Sequence, residues 1–425
     1  MHNWKIKLSL FLNYFVFAIL LNSVGTVILL VQSSYGISKS DAAVLEPFKD
    51  LSIAIVSFLV TSFITKIGYK KAMLIALAIV SVMCFIMPFT KGIFMIEMLF
   101  ASIGSSFALI KMSVYGSIGL ITKSEKEHLS IMNFVESFFG VGVVASYFIF
   151  PLFVNKNDPT STEWLNVYFL LGGISLVALL LLLASKLDES AAHDMQKDAT
   201  ENNFIGMFKL LFKPIVLIFI VCAFMYVLLE QSIMSWLPTF NKDVLQLNDI
   251  LSIQMASILA GSIAFGRFVT GVILKKMGWV TLLIICLCAA AVLVLYAMPA
   301  IEKFRAEFKG EKITTLGNAP MIAFIFPLIG FVLAPIYPVI NSIILSSLEK
   351  PKHGLMAGLI ILFSALGGSS GSLITGNIFE HFGGQVAFYF SLVPIAILIG
   401  GIIIFNRLHK KTASHTSFDK MGGGH

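Results

Sequence analysis

Apolar runs of about 20 residues, cut by short polar segments, repeat along the whole chain, and that is the length a helix needs to cross a bilayer. Twelve such runs are predicted as membrane-spanning helices, at residues 8–31, 42–65, 72–89, 94–121, 128–153, 164–186, 213–238, 250–274, 279–299, 319–344, 354–378 and 385–406. One polar segment is much longer than the others: Leu187 to Phe212 carries Asp188, Glu189, Asp194, Asp198 and Glu201 between spans six and seven. The pattern predicts an all-α membrane protein with twelve transmembrane helices in two six-helix halves, 1–186 and 213–408, joined by a cytoplasmic linker at 187–212. A cytoplasmic tail at 409–425 follows, and its final Gly-Gly-Gly-His reads as a cloning remnant that carries no argument.

Composition sharpens this picture. Of 425 residues, 57% are hydrophobic and only 12% charged, against about 25% charged in a soluble protein, so a soluble globular enzyme is excluded. Lys and Arg orient the chain, because cytoplasmic loops carry an excess of them. With the N-terminus inside, nineteen of the 30 fall on the inner side and eight outside, leaving Lys49, Lys111 and Arg267 within spans. Both termini are therefore expected in the cytoplasm. The first apolar run is too long for the core of a cleaved signal peptide and reads as span one.

The net charge of +7 is spread over loop ends, with no basic stripe interleaved with aromatics, so no nucleic-acid partner is expected. All four cysteines (Cys84, Cys222, Cys286, Cys288) fall inside spans, and Cys286 and Cys288, two apart on a helix, point different ways. Neither a disulfide framework nor a zinc site is predicted. None of the eight histidines sits mid-span, and no metal or cofactor is expected.

Glu230 and Gln231 stand out along the chain, in YVLLEQSIMSWLPTF (Tyr226–Phe240), far down an apolar run that begins at Pro214. A carboxylate there costs roughly 2.5–3.5 kcal/mol at a helix centre on translocon scales, and such a group faces a partner or a wet cavity. Two roles are open, a substrate contact and a structural carboxylate bonded to a neighbouring helix. Trp236 and Pro238 are expected to end the span as an interfacial ring and a helix breaker.

Two short loops echo each other. TSFITKIGYK (Thr61–Lys70) follows span two, GVILKKMGWV (Gly271–Val280) follows span eight, and each places a Lys two residues before a Gly. Spans five and eleven are both rich in small residues, which let helices approach closely in lipid. The echoed loops resemble degenerate copies of the major facilitator superfamily motif GxLxDRxGRK, through Gly271, Ile273, Lys276 and Gly278 in one half and Lys66, Gly68 and Lys70 in the other. Thr65 stands at the Asp position, so the usual loop-locking ion pair is not implied. Within that superfamily the chain resembles the fucose–proton symporter family. The resemblance rests on YVLLEQSIMSWLPTF, AFGRFVTGVILKK (Ala264–Lys276), and the spacing from Gly330 through Tyr337, Pro338 and Ser342 to Gly354, Gly367 and Gly368. In the first half it rests on Asn133, Glu136 and Ser137. It implies the major facilitator fold and a transport role. It does not carry over that family's proton-binding pair, because Val27 and Lys111 stand at its Asp and Glu places. It also implies that spans one, four, seven and ten line a central cavity, which favours Asn22, Lys111, Glu230 and Asn341.

The remaining candidates are intramembrane polar groups. Lys111, about ten residues from the inner end of span four, and Glu136, eight residues into span five, both lie at about 12–15 Å depth and are expected to form a buried ion pair. That pair either ties the two spans together or breaks and re-forms as a proton or substrate binds. Asn133 shares a face with Glu136. Glu46, Lys49 and Asp50 open span two, either as a solvated helix end or as a charged cluster, with Pro47 expected to kink the helix. Arg267 reads as structural, its long side chain reaching the inner interface or a carbonyl cluster. On span ten, Tyr337 and Asn341 are i,i+4, while Pro335 and Pro338 free backbone carbonyls. Gln254 completes the set.

These residues point to a secondary active transporter that moves a small polar solute, a sugar first, by alternating access with a proton, or with sodium as the other ion. Glu230, Gln231, Asn22, Tyr337, Asn341, Gln254 and Asn133 are the expected substrate contacts. Glu136, Lys111, Glu46 and Asp50 are the expected proton-coupling or ion-pair groups. Efflux or exchange of an amphiphilic or charged solute is the alternative, and a non-transporting membrane sensor the alternative of another class. There is no HExxH, nucleophile elbow or phosphate-cradling loop, so no enzyme is expected. A monomer in the lipid bilayer of a bacterial inner membrane is expected.

Overall fold

The computed structural model describes residues 4–61, 64–90, 92–122, 125–189, 204–274, 276–308, 310, 312–348 and 352–422. Eleven helical segments among them are long and apolar enough to cross a membrane. The predicted second span is the exception: Leu45–Thr61 has 17 residues and carries Glu46, Lys49 and Asp50 in its first turns. In the first half, span one is two helices, Trp4–Asn22 and Val24–Tyr35, and span two is Leu45–Thr61. Spans three to six are Tyr69–Thr90, Ile93–Ile121, Glu125–Ile149 and Val167–Leu183. In the second half, spans seven to nine are Pro214–Asp243, Asp249–Ile273 and Trp279–Glu307. Span ten is broken at Ala334–Pro335 into Ile325–Leu333 and Ile336–Ser346, where the prolines free backbone carbonyls. Span eleven is His353–Phe382, and span twelve is Gly384–Tyr389 followed by Leu392–Gly422.

Two sequence expectations about helix ends are corrected. Span seven does not stop at Trp236 and Pro238: the helix runs through Pro238 to Asp243, and Trp236 is fully buried. A proline costs a membrane helix little when neighbouring helices take up the freed carbonyl. Pro47 lies in the first turn of its helix, where a missing N–H has no partner to lose, so it marks a start instead of a kink. The predicted tail continues the last helix as far as Gly422. Of the linker, 190–203 lies outside the described residues.

The chain forms two compact units. The first is Met1–Glu201 with Ser235–Ser257 and Lys312–Asn318, so it contains the first six spans and also the far end of span seven with the start of span eight. The second is Asn202–Met234, Ile258–Glu311 and Ala319–His425. Small residues set the helix pairs inside each. In the first unit, the Phe15 carbonyl of span one occupies the place of a Cβ on Gly142 of span five. In the second, the Leu228 carbonyl of span seven does the same to Gly371 of span eleven. The first helix of each half thus packs on the fifth at backbone contact, which only glycine permits.

The loop after span two is fastened without the motif's aspartate. Gly68 has φ +92°, and Glu189, beyond span six, places its carboxylate where a Cβ would sit. That carboxylate accepts the Lys70 backbone N–H at 2.6 Å, satisfying an open donor at the start of span three. The Lys70 Nζ donates to the carbonyls of Ser185 at 2.7 Å and Leu183 at 3.2 Å. Still within the first unit, residues beyond Ser235 are tied to span one and to the segment that follows it by a polar chain. Lys242 Nζ donates to Ser33 Oγ at 2.6 Å and pairs with Asp249 at 2.9 Å, while Lys39 pairs with Asp243 at 3.0 Å.

Candidate functional site

Glu230 lies near the middle of span seven, sixteen residues past Pro214 and thirteen before Asp243. At 1.5 Å rise per residue it is about 24 Å from one helix end and about 20 Å from the other. Tyr226, one turn earlier, donates its phenolic O–H to Glu230 Oε1 at 2.9 Å. The Tyr226 ring stacks on Tyr337 of span ten, with centroids 5.5 Å apart and planes 20° apart, and Tyr337 shares a 2.8 Å hydrogen bond with Ser364 of span eleven. Arg267 of span eight completes the group. Its Nη2 stands 3.8 Å from Glu230 Oε1, with Glu230 18% and Arg267 53% exposed. Arg267 is therefore a partner of Glu230, a link between spans that the sequence left unassigned. A cavity of about 10 Å³ adjoins Glu230 among Leu259, Ile263, Gly330 and Leu333. It has room for one water at most, so the carboxylate has an apolar wall on that side.

The first unit builds a similar group. Tyr14 of span one and Tyr115 of span four lie with centroids 6.1 Å apart, and Tyr115 donates to Glu136 of span five at 2.7 Å. Lys111, one turn before Tyr115, is exposed at mid-helix with its Nζ 5.9 Å from the centre of the Phe107 ring. The expected Lys111–Glu136 ion pair is not formed: among the described residues no ion pair joins them. The tyrosine on Lys111's own face takes the carboxylate, and the ammonium rests over an aromatic ring.

Glu46, Lys49 and Asp50 are all buried, so the solvated helix end is replaced by the charged cluster. Lys49 bonds Glu46 and lies 3.4 Å from Asp50. Glu46 also accepts from Ser235 Oγ at 2.7 Å. Gly104 of span four admits this arrangement, because the Lys49 carbonyl fills the place of its Cβ. One ammonium between two carboxylates leaves a formal charge of −1 in an apolar setting, with Glu46 held by hydrogen bonds from Lys49 and Ser235.

Other candidates are scattered. The Asn22 amide donates to the Ala18 carbonyl of its own helix at 2.8 Å. Gln231 is half-buried beside Glu230 in the second unit, whereas Gln254 is half-buried in the first. Asn341 is half-buried and its Oδ1 meets no hydrogen-bond partner among the described residues. The side chain of Asn133 lies outside the described residues. Tyr226, Tyr14 and Tyr115 went unread in the sequence, although Tyr226 to Glu230 and Lys111 to Tyr115 are both i,i+4 steps that put them on one face.

The sequence matches the Major Facilitator Superfamily over residues 10–303. The chain belongs to the major facilitator superfamily. Its fold is similar to that of a D-xylose–proton symporter, with a TM-score of 0.74 at 12% identity over 95% of this chain and 97% of the other. It is similar also to the nucleoside transporter NupG in its D323A mutant, with a TM-score of 0.72 at 12% identity over 95% and 99%. A bacterial homologue of the human lysosomal transporter Spinster, inward-facing and occupied, gives a TM-score of 0.69 at 13% identity over 97% and 98%. No curated protein matches this sequence. This major facilitator is a multi-pass integral membrane transporter.

Proposed function

We propose that this transporter moves a small polar solute, a sugar in the first instance, together with a proton by alternating access of two six-helix halves. The observation that carries the reading is the second-unit cluster. Glu230 offers an acceptor and the half-buried Tyr337 a hydroxyl and a ring face, Tyr226 holds both from behind by a hydrogen bond and a stack, and Gln231 adds an amide donor and acceptor beside them. Hydroxyl-bearing rings need that mixture of hydrogen bonds and flat apolar surface. A D-xylose–proton symporter and a nucleoside transporter use the same fold, and both solutes are of that kind. The likeness to the fucose–proton symporter family in spans seven, eight, ten and eleven agrees with it.

Glu136 is the coupling carboxylate in this reading. It is exposed, and Tyr115 donates to it in place of a lysine, so it can take up and release a proton without breaking an ion pair. Glu46 and Asp50, buried against Lys49, are the second candidates. Lys and Arg placement puts both termini in the cytoplasm, and a bacterial inner membrane and a monomeric state complete the proposal.

A melting-temperature screen of the purified protein against sugars, amino acids and organic acids tests it. A solute at 100 times its Kd stabilises the folded state by about 2.7 kcal/mol. Stabilisation by a sugar or related polyol, followed by proton-driven uptake into liposomes, is the expected result. Stabilisation only by solutes that lack a hydroxylated skeleton would overturn the sugar assignment.

A further inference from the structure

Arg267 is a cation that the sugar reading does not use. It sits within span eight, six residues before the helix ends at Ile273. An intramembrane charge is retained where it has a partner or a wet path. Its partner, Glu230, is only loosely engaged: Nη2 to Oε1 is 3.8 Å, beyond a hydrogen bond, and the same oxygen already accepts from Tyr226 at 2.9 Å. A guanidinium presents five N–H donors in a rigid fork, and a filled fork binds a carboxylate through two parallel bonds near 2.7–2.9 Å. One contact at 3.8 Å leaves that fork open, and 53% of the side chain is exposed. Lys111, in the first unit, is likewise exposed at mid-helix with no ion pair among the described residues.

We infer that Arg267 receives a carboxylate of the cargo, so that the transported solute is a monoanionic hydroxy acid, a sugar acid being the representative class. The inference rests on the reading of the second-unit cluster as the cargo site. The carboxylate fills the guanidinium fork, its hydroxyls meet Glu230, Gln231 and the Tyr337 hydroxyl, and its carbon skeleton lies against the half-buried Tyr337 ring, which Tyr226 backs. Glu230 limits the charge. With a carboxylate 3.8 Å away, Arg267 sits in a formally neutral pair, which tolerates one added negative charge far better than the two of a phosphate monoester. A planar two-oxygen group also matches the fork, whereas a lysine would read any anion as a point charge.

The test uses the full-length protein in detergent and matched pairs of solutes: D-galactose with D-galacturonate, D-glucose with D-gluconate, and propane-1,2-diol with lactate. Melting temperature is followed as each is titrated, for the wild type, Arg267→Gln and Arg267→Lys. In at least one pair the acid is expected to bind at least tenfold more tightly than its neutral partner. Arg267→Gln should abolish that preference, and Arg267→Lys, which keeps the charge but loses the fork, should reduce it at least threefold. If Arg267→Gln does not fold, the Arg267→Lys titration decides alone. A neutral sugar that binds as tightly as its acid, or a preference untouched by either variant, overturns the inference and leaves the transport reading standing. If no member of any pair shifts the melting temperature, the polar-solute reading falls together with it.

Discussion

The two units solve one local problem in two ways. Each sets a tyrosine from the first helix of its half against a tyrosine from the fourth, Tyr14 with Tyr115 and Tyr226 with Tyr337, and each gives a phenolic proton to a carboxylate. They differ in what stands beside the acid. Glu230 has a guanidinium 3.8 Å away and an apolar wall behind it, while Glu136 is exposed and its expected lysine lies over a phenylalanine ring instead. Among the described residues, the first unit alone also carries a buried group of three charges, Glu46, Lys49 and Asp50. In the proposed reading, the two halves keep a common aromatic pairing while their two carboxylates take different work, Glu230 for cargo and Glu136 for a proton.

The largest expected effect probes the Glu46–Lys49–Asp50 group of the first unit. Lys49→Met leaves Glu46 and Asp50 buried without a counter-charge, and breaking a buried pair from one side costs about 3–5 kcal/mol. Thermal unfolding in detergent should show a loss of that size. A loss under about 1 kcal/mol would mean that water reaches the group.

Glu230→Gln keeps shape and an acceptor but removes the charge. Loss of a charged hydrogen bond should weaken solute binding by about 1.5–3 kcal/mol, read as a rise in Kd in the melting titration. Tyr226→Phe and Tyr115→Phe then separate the clusters at a smaller scale. Each removes one hydrogen bond worth about 0.5–1.5 kcal/mol. Tyr226→Phe should raise the solute Kd and leave the pH profile of uptake in place, and Tyr115→Phe should do the reverse. Identical phenotypes for the two would erase the division of labour.

The sequence carried the membrane architecture well, because a bilayer imposes one length and one polarity on every span. It marked Glu230 as well, since a carboxylate that closes the apolar run PIVLIFIVCAFMYVLLE and is followed by more of the same helix has no bland surface reading. Where it failed, the missing information was long-range. Trp236 and Pro238 look like a helix end until other helices cover them, and the helix runs on to Asp243. Glu46, Lys49 and Asp50 at the mouth of a span fit a solvated turn equally well. Their burial depends on Gly104 of span four and on Ser235, more than 180 residues away in sequence. Lys111 and Glu136 shared a depth but not a direction, and depth alone cannot pair side chains on different helices. Tyr226 was legible one turn before Glu230; its stacking partner was not.

The most direct measurement reconstitutes the wild type, Glu136→Gln and Glu230→Gln in liposomes and follows one bound solute in two modes, proton-gradient-driven accumulation and solute exchange at equal pH. The account predicts that Glu136→Gln loses accumulation but keeps exchange. Glu230→Gln should weaken both through affinity, while the remaining transport keeps its pH dependence. Unchanged affinity in Glu230→Gln together with lost pH dependence would contradict the account and make Glu230 the coupling carboxylate.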